Sequence, residues 1–224
     1  VVFVFTSAAG IYFILQSRPA SRLFGLFWLS VAFWTCFVGM QFEILSWMPA
    51  RLWGWLLHLG CISVPVLFCH FALHFESGSA KNSRLLRGAY TTAGIFILLN
   101  TSTYLFTEEI IYRSEYAYPK PAVLYPLYVL FFQFLGIWSV FLILKWVGTL
   151  GSKSRGIVYL FLTVHLLAYV GSMDNFLIMY DIRIFPLYPY GLYLLLPYAL
   201  VASAAFLKLS RTSMLNAPVE LKVS

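Results

Sequence analysis

LWGWLLHLGCISVPVLFCHFALHF, residues 52–75, runs for twenty-four residues without one Asp, Glu, Lys or Arg. A helix needs about 20 apolar residues to cross the hydrocarbon of a bilayer, so this stretch is long enough to span. It also carries His58, His70, His74 and Pro65. His70 and His74 are four apart, one helical turn, so their rings share a face. What those histidines do depends on the surroundings the rest of the chain provides.

The rest is equally apolar. Of 224 residues, 61% are hydrophobic, 19% aromatic and only 10% charged, and the mean hydropathy is +0.83. Soluble domains carry about 25% charged residues; too little polar surface remains here to cover a water-soluble globule. Seven apolar runs can be drawn, at about 1–16, 23–45, 52–75, 89–106, 123–147, 157–180 and 188–207. They are continuous rather than alternating, which excludes a membrane β-barrel, and helices are the remaining way to satisfy a backbone in lipid. The expectation is an all-α polytopic membrane protein: a seven-transmembrane helix bundle over residues 1–207, then a cytoplasmic tail, 208–224, with no output domain. The first run is slightly short for a span, and its basic flank, Arg18 and Arg22, follows it rather than precedes it. That argues against a signal peptide and for a few missing upstream residues.

The formal net charge is +7. In a soluble protein this would raise nucleic acid as a partner; here the basic residues fall in short loops and bear on orientation, and no nucleic-acid partner is expected. Arg18, Arg22, Lys81, Arg84, Arg87, Lys145, Lys153, Arg155, Lys208, Arg211 and Lys222 fall on one side, and Arg51, Arg113, Lys120 and Arg183 on the other. Eleven against four puts the first side in the cytoplasm, the N-terminus outside and the C-terminus inside. The longest outer loop is TEEIIYRSEYAYPKPA, 107–122. Cys36, Cys61 and Cys69 all lie in apolar runs, an odd number that makes no disulfide framework.

Polar groups inside a membrane are costly and are functional candidates by default. Gln41, Glu43, His58, Asn100, Gln133, Asp174 and Asn175 all fall in the outer half of their runs. One reading is a polar-lined, ligand-binding cavity open to the outside, with Glu43 and Asp174 as anionic or proton-accepting groups. The other is that polar residues are tolerated near an interface, where the penalty falls. The inner half holds His70, His74 and His165 as structural or pH-responsive histidines. His70 and His165 lie at comparable depth, so a bis-histidine haem is geometrically conceivable, but no second pair exists. Two histidines one turn apart are too few for a metal site, which needs three or four ligands. No metal and no cofactor are expected. The last run lacks a Schiff-base lysine, and nucleotide-binding glycine loops, HExxH and a Gly-x-Ser-x-Gly elbow are missing. No catalytic residue is assigned.

Three stretches carry a resemblance: LFGLFWLSVAFWTCFVGMQFEIL (23–45), ARLWGWLLHLGCISVPVLFCHFALHFESG (50–78) and GSMDNFLIMYDIRIFPLYPYG (171–191). Together they resemble the N-terminal seven-transmembrane sensor region of bacterial histidine kinases, which also heads some diguanylate cyclases. The matching features are Trp34, Arg51 with Trp53, Pro65 with His70 and Phe71, and Gly171 through Leu177 with Pro186. The resemblance covers nearly the whole chain. It implies a multi-pass sensory input module of the bacterial inner membrane. Such a module takes a small molecule or lipid, or senses membrane state, and couples to a cytoplasmic signalling domain in cis or in trans. Kinase-type output implies a homodimer. The sequence departs from the pattern after residue 207, where LKLSRTSMLNAPVELKVS carries no phospho-acceptor or ATP-binding region. Two rivals remain: a small transporter or channel, which needs a continuous polar path, and a haem-bearing membrane redox protein.

Overall fold

In the computed structural model, which describes residues 1–77, 84–113, 116–184 and 191–211, the apolar runs are helices. They are α1 (Val2–Ile14), α2 (Pro19–Gly39), a short α3 (Gln41–Leu45), α4 (Ala50–Ser77), α5 (Arg84–Ser102), α6 (Tyr125–Val147), α7 (Ser152–Ser172), α8 (Asp174–Met179) and, after a 3-10 turn at Gly191–Leu194, α9 (Leu195–Arg211). Among the described residues, four helical stretches are long and apolar enough to cross a membrane: Pro19–Gly39, Ala50–His74, Tyr125–Val147 and Ser154–Met179. The helices at Val2–Ile14 and Leu195–Ser210 are apolar but shorter. Helix α5 has 19 residues, but Arg84, Arg87, three threonines and Asn100 dilute its hydropathy.

Several expected boundaries move. The run at 23–45 breaks at Met40 into α2 and α3, and the run at 157–180 breaks at Met173 into α7 and α8. The run at 89–106 stops being helical after Ser102, where Thr101, Ser102 and Thr103 turn their hydroxyls onto carbonyls of the last turn. Such back-bonding offers the chain an exit from the helix. Two residues past the end of α8, Asp181 adopts φ 55, the left-handed conformation that stops helices and that Asp tolerates better than most residues. Residues 188–190, Lys81, Pro186 and everything from 212 onward lie outside the described residues.

The other correction concerns 107–122. Expected as a polar loop, it is a β-hairpin. Strand β1 (Thr107–Arg113) pairs antiparallel with β2 (Tyr116–Pro121), Ile111 opposite Tyr118 and Tyr112 opposite Ala117. The hairpin does not stand off in solvent. Ala117 and Tyr118 are almost fully buried, and both strands contact α4 and α8. It therefore lies across the end of the bundle at which α2, α5 and α8 finish and α4 and α6 begin. Its outer edge carries the Lys120–Glu108 ion pair at 2.7 Å, and that hydrogen bond holds the lysine ammonium above its ordinary pKa. Nearby, the Arg51 guanidinium lies 3.8 Å from the Tyr104 ring centre and 5.2 Å from that of Trp55, an aromatic–cation cluster of the kind found at a membrane–water boundary.

Helix α2 packs between α1 and α4; α4 also packs against α5 and α6; α9 pairs with α7. The outward face of α6 carries Leu127, Leu130, Phe134, Ile137, Phe141 and Leu144, all exposed. Their three- and four-residue spacing makes one stripe about 26 Å long, close to the roughly 30 Å of bilayer hydrocarbon. Such a stripe suits lipid; in water it would be an aggregation surface. Inside, Phe24 of α2 is the hub of an aromatic layer. Its ring centre lies 5.0 Å from Phe13 on α1, 4.9 Å from Phe71 on α4 and 4.5 Å from Phe206 on α9. Phe161 of α7 closes the layer at 6.1 Å.

Candidate functional site: a cavity beneath the hairpin

One helical turn from that aromatic layer, toward the hairpin, the helices stop filling the space between them. A cavity of about 70 Å³ remains there. Its walls are Phe27, Val31 and Trp34 from α2; Leu57, His58, Cys61, Val64, Pro65 and Phe68 from α4; and Tyr125, Tyr128, Phe132 and Gly136 from α6. His165, Ala168, Tyr169 and Ser172 come from α7, Asn175, Phe176 and Met179 from α8, and Leu195 and Tyr198 from the last helical segment. Tyr118 of the hairpin completes the lining. The Phe24 layer lies on the far side, since Phe24, Phe71, Phe161 and Phe206 each precede or follow their cavity-lining neighbours by about one to two turns in the direction away from the hairpin.

Local sequence explains why the walls stand where they do. Gly60 lets α2 approach α4 closely: a Cβ there would meet Trp34 N at 2.9 Å and Trp34 Cα at 3.0 Å. The carbonyl of Gly60 also accepts a hydrogen bond from Ser30 Oγ at 3.0 Å. Gly136 does the same for a side chain, since a Cβ there would meet the Tyr169 ring at 2.5 Å. Tyr169 in turn donates its hydroxyl hydrogen bond to Gln133 Oε1 at 2.5 Å. Pro65 has no N–H to give the carbonyl one turn back on α4, and it too lines the cavity.

The polar residues singled out in the sequence separate into distinct roles. His58 and Asn175 line the cavity. His58 Nδ1 bonds Gly54 O at 2.9 Å and its Nε2 bonds the Tyr125 hydroxyl at 3.3 Å. Asn175 Oδ1 accepts from Tyr118 at 2.5 Å, while Asn175 Nδ2 donates to Ser172 O at 3.0 Å. Gln41 and Asn100 are buried but secure the hairpin instead. The Ala117 N–H donates to Gln41 Oε1 at 2.9 Å, and Thr107 Oγ1 donates to Asn100 Oδ1 at 3.2 Å. Gln133 holds Tyr169 and also donates to Met173 Sδ at 2.7 Å. Asp174 is fully buried but is not among the cavity-lining residues. Glu43 is exposed on α3 and does not line the cavity, so it supplies no anionic group there. Of the seven, His58 and Asn175 line an otherwise largely aromatic cavity, and Gln41, Asn100 and Asn175 hold the hairpin above it.

The histidines of the other half also part company. His165 lines the cavity. It stacks on Phe68 with ring centres 3.9 Å apart, and its Nδ1 shares a hydrogen bond of 2.8 Å with the Tyr198 hydroxyl. His70 faces α5, where its Nδ1 meets the Tyr90 hydroxyl at 2.9 Å; His74 is half-buried one turn on. His70 and His165 therefore engage different neighbours and do not frame a shared haem position. Among the described residues, no three of His, Cys, Asp and Glu come together as metal ligands.

Sequence reasoning passed over the aromatic wall: Tyr118, Tyr125, Tyr128, Tyr169 and Tyr198. A usable signal lay in 107–122, where two runs rich in β-branched and aromatic residues flank Ser114-Glu115, a hairpin pattern. Comparison with protein-family models, with curated proteins and with solved structures finds no match to this chain.

Proposed function

We propose that the chain is the membrane-embedded sensory input module of a bacterial signal-transduction protein of the histidine-kinase type. In this reading it is a seven-span bundle with its N-terminus outside and its C-terminus in the cytoplasm. A small molecule binds beneath the outer hairpin, and the binding shifts helix packing at the cytoplasmic end. The observation that carries the reading is the cavity. It lies where α2, α4, α6, α7, α8 and α9 meet, so an occupant touches most of the bundle at once. The basic loops and the resemblance in residues 23–45, 50–78 and 171–191 support the orientation and the family. A transporter or channel is disfavoured because the packed Phe24 layer closes the bundle on one side of the cavity.

Two measurements test this. In intact cells, Glu108→Cys should react with a membrane-impermeant maleimide; labelling only after lysis reverses the orientation. An antibody against 107–122, applied to native membranes, reports the size of the gene product. A band far larger than 25.6 kDa supports an input region of a longer signalling enzyme. A band at that mass moves the search to a separate partner or to transport.

A further inference from the structure

The lining of the cavity says what kind of molecule fits it, and this inference rests on the reading of the cavity as a ligand site. No Asp, Glu, Lys or Arg lines it, so a charged occupant would sit without a counter-charge in an apolar interior, a costly arrangement. Nor does the wall offer a hydrogen bond. Trp34 Nε1, Tyr128 Oη and His165 Nε2 have no partner within the protein, but each is sealed behind neighbouring atoms and out of reach of an occupant. The hydroxyls of the other four lining tyrosines are engaged within the protein. So are the side chains of His58, Ser172 and Asn175. The surface an occupant meets is almost wholly apolar.

Water does not suit such a space. A buried water makes about three hydrogen bonds, and apolar cavities stay dry. Size sets the other limit. An apolar cavity of about 150 Å³ holds one benzene. This one is about 70 Å³, with room for about half as many heavy atoms. Voids larger than a water are few in close-packed interiors, and this one lies where α2, α4, α6 and α7 meet. Two of those walls, α6 and α7, turn exposed apolar residues outward on their far sides, among them Ile137 and Leu167. Lipid therefore lies one helix away, and apolar solutes are enriched there relative to water.

We infer that the cavity is dry and binds a neutral apolar molecule of about three heavy atoms or fewer, a gas such as dioxygen that enters from the bilayer. Dispersion contacts with the rings and aliphatic side chains of the wall hold such a molecule without any hydrogen bond. Filling the void restores contacts that its lining lacks. Occupancy therefore favours this arrangement of the helices over others, the bias that the sensory reading requires.

The test uses the full chain in lipid nanodiscs with its five methionines labelled at the methyl carbon; Met179→Leu and Met40→Leu assign two of the signals. Met179 lines the cavity and is buried, whereas Met40 is exposed. Under rising xenon pressure the Met179 methyl should shift saturably. Under dioxygen, which is paramagnetic, it should relax severalfold faster than under nitrogen. Ala168→Leu and Cys61→Leu fill the cavity from α7 and α4. Each should abolish both effects at Met179 and leave Met40 unchanged; two variants guard against one misfolding. Absence of either effect in the unaltered chain overturns the inference. So do effects that persist in both filled variants, which mark gas dissolved in lipid. A water-to-methyl Overhauser effect at Met179 marks a hydrated cavity, and displacement of xenon by benzene breaks the size limit; either overturns it too. Amide exchange at the end of α9 is followed with and without xenon. A Met179 response with unchanged exchange there leaves the ligand class standing and removes the sensory reading.

Discussion

The Tyr118 hydroxyl donates a hydrogen bond of 2.5 Å to Asn175 Oδ1, joining strand β2 to helix α8 across fifty-seven residues of sequence at the rim of the cavity. Both side chains line the cavity, so this bond links the position of the hairpin to the shape of the space beneath it. Gln41 adds a second tie from α3, and Asn100 a third from α5. The hairpin is thus fastened to three separate helical segments by side chains that are buried themselves.

Tyr118→Phe removes the donor and leaves a buried carbonyl oxygen on Asn175. Stranding a buried polar group costs about 1–3 kcal/mol, so the thermal midpoint in detergent should fall. Asn175→Leu in the Tyr118→Phe background should recover part of the loss, because removing both partners is milder than removing one. A double variant no more stable than Tyr118→Phe would mean that the bond is not the main tie.

Gln41→Leu strands the Ala117 N–H, and Ala117 is fully buried. Opening of the hairpin should become easier by about 1–3 kcal/mol. Amide exchange at Ala117 should then quicken roughly tenfold to a hundredfold, while exchange in the middle of α4 stays unchanged. Glu43→Gln is the matched control two residues on. Its side chain is exposed on α3, so neither exchange nor thermal stability should move.

Much of this architecture was legible in the sequence, and the reasons differ by element. Continuous apolar runs such as 123–147 read directly, because a lipid-facing helix is hydrophobic all round and α6 needs only its turns to satisfy its backbone. Breaks inside runs, at Met40 and Met173, left no mark, since methionine interrupts no hydropathy pattern. The hairpin was hidden by its charges: Glu108, Glu109, Arg113 and Lys120 made 107–122 look like a loop although Ile110, Ile111, Tyr116 and Tyr118 carry a strand pattern. Among the site residues, depth along the helix was readable and direction was not. Gln41, Asn100 and Asn175 share one end of the bundle, as their positions along the runs imply, but which of them faces a cavity and which faces a hairpin is fixed by tertiary packing. Tyr128 was passed over because an aromatic residue in an apolar run looks like ordinary core.

The His70–Tyr90 contact joins α4 to α5 on the side away from the hairpin. Both residues are only partly enclosed by the protein, and interhelical hydrogen bonds in membrane proteins average about 0.6 kcal/mol by double-mutant cycle. A cycle of His70→Ala and Tyr90→Phe, read on the thermal midpoint, should therefore give a coupling of that order. A coupling several times larger would mean that this contact carries more of the α4–α5 packing than its partial enclosure implies.

Glycines separate the close helix crossings from the open surface, and they give the most stringent stability test. Gly94, in the middle of α5, has nothing within 4 Å of where a Cβ would stand; Gly94→Ala should stabilise by about 0.5–1 kcal/mol, the ordinary helix-propensity gain. Gly136→Ala meets the outer atoms of the Tyr169 ring at 2.5–2.7 Å. The ring can swing aside, but only by giving up its bond to Gln133 and disturbing the cavity wall, at about 1–3 kcal/mol. Gly60→Ala meets backbone atoms of Trp34, which cannot rotate away, so α2 and α4 must separate. Thermal midpoints should therefore fall in the order Gly94→Ala, the unaltered chain, Gly136→Ala, Gly60→Ala. Gly60→Ala should also weaken the Ser30 bond to the residue-60 carbonyl. If Gly60→Ala proved milder than Gly136→Ala, the α2–α4 crossing would have to be looser than its 2.9 Å approach implies, and Trp34 would lose its fixed place on the cavity wall.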